Sequence, residues 1–156
     1  IGKQTVAVDN LPSRDDGDRP FTLIIDENIC LLNLHAGHDQ SEAAVHLKQV
    51  ENIVASRHRE ADSEARSKCS KLILAGDHNS DYSTYDNLSI FDLQLHGHTE
   101  SVATCCNGDG SKFDHILSTG TIKAGSQQVQ DSYEWFVDGK KNHAADHLWV
   151  KAIFEF

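Results

Sequence analysis

The chain has 156 residues, a formal net charge of −10, 38% hydrophobic residues and four cysteines. That length suits one domain with its own core and is too short for two ordinary ones, and no apolar run approaches the roughly 20 residues that a bilayer-spanning helix needs. The acidic balance argues against a broadly basic surface that holds nucleic acid by neutralising many phosphates, but it is compatible with a local acidic centre that meets one phosphate through a divalent metal.

A first strand is predicted around Thr5 to Val8, and Asp9 to Pro20, rich in Asp, Arg, Gly and Pro, reads as an exposed loop. Phe21 to Ile25 and Asn28 to Leu34 are β-rich runs separated by Asp26-Glu27, a spacing suited to a hairpin. After the loop Ala36 to Gln40, Ser41 is placed to cap a helix whose apolar positions Ala44, Leu47, Val50, Ile53 and Val54 recur at helical spacing, with the helix continuing to about Lys68. Glu51, Arg57, Arg59 and Glu60 give it a charged outer side, so one stripe is expected to pack on a sheet. Lys71 to Ala75 is the next strand, Ser83 to Ile90 a short helix or turn, and Gly108-Asp109-Gly110 a turn before a strand at Asp114. Gly139 to Asn142 reads as a loop and Leu148 to Phe156 as a closing strand.

Cys30 falls in a predicted core strand, where a thiol behaves as a small hydrophobe, and the neighbours Cys105 and Cys106 are poorly placed to pair with each other. A disulfide framework is permitted without being required. The chain starts at Ile1 and contains no Met, so it is expected to be a piece of a longer translated product.

Four short motifs stand where apolar runs stop: Asn33-Leu34-His35, Gly76-Asp77-His78-Asn79, Phe113-Asp114-His115-Ile116-Leu117 and Asp146-His147. If the runs are strands, the polar residues beside them collect along one edge of a sheet. The ordered series resembles the C-terminal half of the endonuclease/exonuclease/phosphatase superfamily, the deoxyribonuclease I-like group, whose signatures are N-x-H, G-D-x-N, an Asp inside an (I/Y/F)-D-x-(I/L)-L strand, and S-D-H before a final apolar strand. The resemblance covers Asn33 to Val150. It departs from the pattern at Ala145, which stands for the serine, and at His78, which stands for an apolar residue.

The resemblance implies an α+β fold, the C-terminal half of a four-layer α/β/β/α sandwich, with residues 1–156 forming a single domain or half-domain. The N-terminal half, which in the family supplies a second sheet and a metal-binding glutamate, is not found in this sequence and is expected as a missing segment or a partner chain. The chain alone is therefore expected to be inactive or very weak. The implied function is divalent-metal-dependent phosphodiester hydrolysis, as a nuclease acting on nucleic acid or another phosphodiester substrate, with water attacking in line at phosphorus. The alternatives are a phosphomonoesterase of phosphoinositides, or a catalytically inactive binding or structural module that keeps the fold.

A phosphodiester resists attack because its oxygens repel an anionic nucleophile and its leaving alkoxide is poor, so a catalyst must neutralise charge. Mg²⁺ or Mn²⁺ held by carboxylates does this and also lowers the pKa of bound water. By resemblance, Asp146 and Asp77 are metal ligands, and Asp77 also orients or deprotonates the attacking water. Asn79 hydrogen-bonds the phosphate, His147 is the acid/base group oriented by Asp114, and His35 donates to a non-bridging oxygen as charge accumulates. A second metal reading rests on the remaining histidines, among them His38, His96, His98 and His143, which with carboxylates suit Zn²⁺ but match no zinc spacing.

Gly76 to Ser80 followed by Ser83-Thr84-Tyr85 and Leu88 is similar to a deadenylase stretch without its proline. The Cys and Arg of the inositol-phosphatase strand are absent around Asp114, which disfavours that branch. The sphingomyelinase and toxin branches stay open.

Overall fold

The computed structural model describes residues 4–12, 17, 19–37, 43–79, 88–100, 102–105, 111–130, 134–137, 140–143 and 147–156. In chain order the elements are β1 (Thr5–Leu11), β2 (Arg19–Asp26), β3 (Ile29–His35), α1 (Ala43–Arg57), α2 (Arg59–Lys68), β4 (Lys71–Asp77), β5 (Ser89–Ile90), β6 (Leu93–Gln94), β7 (Gly97–His98) and β8 (Asp114–Ser118). They continue as β9 (Thr121–Ile122), β10 (Gln128–Val129), β11 (Glu134–Val137), β12 (Lys140–His143), β13 (Val150–Lys151) and β14 (Phe154–Glu155).

Six strands make the main sheet in the order β1-β2-β3-β4-β8-β7. Alternate residues point to opposite faces, and Phe21, Leu23, Ile25, Leu32, Leu72 and Leu74 are all buried on the same one. Leu47, Val50 and Val54 of α1, with Ala61 and Ala65 of α2, belong to the same apolar cluster and cover that face. The opposite face carries Val6, Val8, Ile29 and Leu31, all exposed.

β1, β2 and β3 are an antiparallel meander. The β2–β3 connection is the pair Glu27-Asn28, since Asp26 already pairs with Ile29; the expected hairpin is present, one residue later. Glu27 takes the left-handed conformation, φ 54°, which both primed two-residue hairpin turns require at their first central position. Strand pairing also extends to Leu11 and restarts at Arg19, so the loop expected from Asp9 to Pro20 is shorter at both ends.

β3 and β4 run parallel and are joined by the helical crossover, as a parallel pair requires. The one long helix expected to reach Lys68 is instead two, broken at His58, whose backbone is non-helical. The reason lies on β1: Asp9 accepts from Arg57 Nη1 at 2.9 Å and bonds the His58 ring at 3.0 Å, pinning the break to the sheet. Cys30 on β3 and Cys69 at the end of α2 form a disulfide across the same crossover, so Cys30 is not a thiol.

The end of the chain forms short pairs rather than one strand: β10 with β13, β14 with β9, and β11 with β12. The loop expected at Gly139 to Asn142 therefore includes strand β12, and Leu148 to Phe156 divides into β13 and β14. Ser41, Ser83 to Tyr85, Gly108 to Gly110, Ala145 and Asp146 lie outside the described residues.

Candidate active site

The parallel register sets His35 opposite Asp77, and the antiparallel register of β4 with β8 sets Asp77 opposite Asp114. Three strand ends thus deliver an imidazole and two carboxylates to one edge, on the sheet face away from the helices. Gly76 makes this possible. Its φ is +140°, and a Cβ there would lie 1.9 Å from the Leu34 carbonyl oxygen, so no side chain is tolerated where β4 passes β3.

His147 joins them from the last part of the chain. Its backbone bridges Cys105, and its Nδ1 lies 2.8 Å from Asp114 Oδ2, so Nδ1–H donates to the carboxylate. The other nitrogen, Nε2, lies 3.6 Å from Asp77 Oδ2 and 3.3 Å from Cys105 Sγ. His35 Nε2 approaches the same Asp77 oxygen at 3.7 Å. Asp77 is therefore flanked by two imidazoles and faces a second carboxylate. The side chains of Asp77, Asp114 and His147 are 19%, 20% and 27% exposed, so the cluster is reachable from solvent but largely withdrawn from it.

Burial raises the Asp77 carboxyl above its ordinary value, and the Asp114 charge adds to this. The Asn79 backbone N–H, His147 and His35 pull the other way without reversing it. A carboxyl so placed holds a proton more readily than an exposed one.

Asn79 is nearly buried, and its Nδ2 donates to the Ala36 carbonyl at 2.7 Å while its backbone N–H donates to Asp77 Oδ1 at 2.8 Å. Its φ of 46° is the left-handed conformation that Asn tolerates well. The residue thus pins the β3 and β4 exits together and fixes the Asp77 carboxylate. His78, between them, points the opposite way into the core, 1% exposed and edge-on to His115 at 5.6 Å. Burial lowers its pKa well below the usual histidine value, with His115 and His46 adding to the shift. Neutral imidazole thereby fills the slot that an apolar residue would take.

The ligand atoms of Asp77, Asp114 and His147 all lie within 4.8 Å of one another, the group among the described residues that has the reach to share one ion. Two carboxylate oxygens suit a hard divalent cation, and the cluster's donor chemistry fits Mg²⁺ or Mn²⁺. A cavity of about 250 Å³ adjoins it, lined by Asn33, Ala75, Asp114, Ile116 and Trp149 among others.

Of the six residues singled out from the sequence, the structure brings His35, Asp77, Asp114 and His147 together, sets Asn79 beneath them, and leaves Asp146 outside the described residues. Sequence reasoning missed Cys105 and Thr104. Neither stands in a recognisable motif; Cys105 is placed by its bridge to His147, and Thr104 by its hydrogen bonds to the Asp114 and Leu148 amides.

No family model matches the sequence, and no curated protein matches it. Among solved structures, the chain matches CdtB, the biologically active subunit of cytolethal distending toxin, at TM-score 0.51 and 17% identity over 93% of this chain and 55% of that one. It also matches an endonuclease/exonuclease/phosphatase family protein from Bacteroides thetaiotaomicron (TM-score 0.49, 18% identity, 86% of this chain and 54% of that one) and ANGEL2, a 2′,3′-cyclic phosphatase (TM-score 0.44, 16% identity, 80% and 56%). The likeness is one of fold, and the chain spans about half the length of the structures it matches.

Proposed function

We propose that this chain, which has the fold of about half of a deoxyribonuclease I-like domain, carries most of the hydrolytic centre of a divalent-metal-dependent phosphodiesterase acting as a nuclease. The single observation behind this reading is the pair of carboxylates on one imidazole, Asp114 at 2.8 Å from Nδ1 and Asp77 at 3.6 Å from Nε2 of His147. An imidazole between two carboxylates is held in one orientation with Nδ1 protonated, and its Nε2 is presented to the cleft. The four motifs, occurring in family order, support the same reading.

Asp77 and Asp114, with Asp146 beside His147 in the sequence, would hold Mg²⁺ or Mn²⁺, which when bound supplies charge neutralisation at phosphorus and a more acidic water. The chain's own groups do the rest. Asp77 orients the attacking water and takes its proton. His147, oriented by Asp114, sits where a proton or hydrogen bond meets the phosphoryl or leaving oxygen. His35, side chain 38% exposed at the rim, donates to a non-bridging oxygen as charge grows there. Asn79 acts by holding the β3 and β4 exits, its Nδ2 being engaged by the Ala36 carbonyl. The second sheet and the additional metal-binding glutamate belong to the half of the domain that this chain does not span.

The test uses the polypeptide that carries this chain together with the other half. Hydrolysis of a fluorogenic phosphodiester and of single-stranded DNA is measured with Mg²⁺ and with EDTA, for the wild type and for His147→Ala and Asp77→Ala. Metal-dependent turnover that falls on the order of 10²–10⁴-fold in either variant is expected. Turnover indifferent to EDTA or to His147→Ala overturns the reading. Release of inorganic phosphate from monoesters alone would make the protein a phosphomonoesterase, and a folded protein inert on all substrates would make it a binding module.

A further inference from the structure

β8 has β4 along one side, but on the other side β7 covers only its far end, where Gly97 pairs with Ser118 and His98 with Leu117. Nearer the active site the open edge of β8 is completed by threonine hydroxyls. Ile116 N–H donates to Thr99 Oγ1 at 3.2 Å, and Asp114 N–H donates to Thr104 Oγ1 at 3.2 Å. Both threonines are buried, 1% and 0% exposed. At each position a side-chain oxygen stands where a neighbouring strand would have offered a carbonyl, which meets the rule that a buried backbone donor must be satisfied.

The two differ in what else they hold. Thr99 donates its own N–H back to the Ile116 carbonyl, so it serves β8 alone. Thr104 offers its carbonyl to Leu148 N–H at 2.7 Å, and the next residue, Cys105, makes the backbone bridge to His147. Thr104 is itself anchored by its N–H to the Ser111 carbonyl at 3.0 Å. One buried residue therefore grips the amide of Asp114 with its side chain and the amide next to His147 with its backbone. Asp114 and His147 lie 33 residues apart in the chain.

We propose that Thr104 is a positioning residue of this centre, setting the separation at which the Asp114 carboxylate receives the Nδ1–H of His147. Its effect on turnover rests on the hydrolytic function proposed above; its effect on the Asp114–His147 contact does not. The hydroxyl is the operative group. Valine has the same shape and no acceptor, whereas serine keeps the acceptor and loses a methyl. A misplacement of about 1 Å at a catalytic pair costs on the order of 10²-fold in rate, so partial loosening should be plainly visible.

Thr104→Val, Thr104→Ser and Thr99→Val are compared in the polypeptide carrying both halves, by thermal midpoint, by the downfield N–H proton resonance of His147, and by kcat and KM. The resonance is assigned by its absence from His147→Ala. Both valine variants are expected to lose similar thermal stability. Only Thr104→Val should move or broaden the resonance and lower kcat tenfold or more with KM within about twofold, and Thr104→Ser should restore both. If Thr104→Val does not fold, Thr104→Ala removes the same acceptor and is read in the same way. The inference is overturned if Thr99→Val produces the same changes, if Thr104→Ser fails to restore them, or if the resonance is indifferent to loss of the Thr104 hydroxyl. Absence of turnover in the wild type would remove the proposed hydrolytic function, while the resonance still decides the role of Thr104.

Discussion

The same strands present two faces of unequal fate. On the helix side Leu23, Leu32, Leu72 and Leu74 are 0–2% exposed, whereas on the other side Val8 is 61% and Leu31 is 42% exposed. The open face keeps apolar residues among polar ones such as Thr22, Asn33 and Lys71, and the run Leu72 to Ala75 does not alternate with polar residues. Strands of that composition belong to sheets covered on both sides. The contrast is the one a sheet awaiting a cover on its second face would show, and the candidate cluster sits at the end of that face. A cover over that face would bound the cluster on its other side.

The largest test of the contrast is core truncation. Leu74→Ala is expected to cost about 2–5 kcal/mol in urea unfolding, against no more than about 1 kcal/mol for Leu31→Ala on the open face. Repeating Leu31→Ala in a polypeptide that carries the second sheet should raise its cost towards the Leu74 value, and an unchanged cost would mean that the face stays uncovered. Next in size is the staple on the sealed side. Cys69→Ala opens the Cys30–Cys69 bridge and should cost about 2–4 kcal/mol, read as a lower urea midpoint that a reductant reproduces in the wild type.

The two faces also treat carboxylates differently. Burial at the active site raises the Asp77 pKa, so the folded state prefers the protonated form; the stability that this group contributes is full below its unfolded value and is lost as pH rises through the folded one. Ionised Asp77 is thus a liability at neutral pH. Without metal, Asp77→Asn should stabilise by on the order of 1 kcal/mol at pH 7, with the gain vanishing as pH falls through the carboxylate range, while activity is lost. Asp9, on the β1 edge, is the opposite case. The Asn10 amide, then His58 and Arg57, lower its pKa against a smaller opposing effect of burial, so its contribution is present above the unfolded value of 3.8 and disappears as pH falls through the folded one. Asp9→Asn should cost less than about 1 kcal/mol at pH 7 and flatten the acid limb of the unfolding profile.

The clustering of the candidate site residues was more legible in the sequence than the fold around them, for physical reasons. Gly76, Asp77 and Asn79 could be read together because each meets a local demand: no Cβ against Leu34, a carboxylate at a strand end, and an amide that accepts φ 46°. His35 and Asp114 follow from strand register alone. The helix break at His58 was hidden, since it depends on Asp9, 49 residues away, and no local signal such as Gly or Pro marks it. Strand β12 was hidden because Lys140 and Asn142 have weak strand propensity and are held by pairing with β11. Thr104 and Cys105 illustrate the general limit: a residue whose importance comes from bridging two distant segments leaves no pattern in its own neighbourhood.

The parallel pairing of β3 with β4 bears on the order in which the molecule is made. Hairpins such as β1–β2–β3 form from neighbouring residues, but His35 meets Asp77 only after the whole helical crossover has emerged and turned back, and His147 reaches Asp114 last of all. Contacts of such sequence separation are slow because loop closure must precede their reward. During synthesis the side chains of the candidate site thus remain scattered until the segment carrying His147 has emerged, and a product truncated before it has the main sheet without the completed cluster.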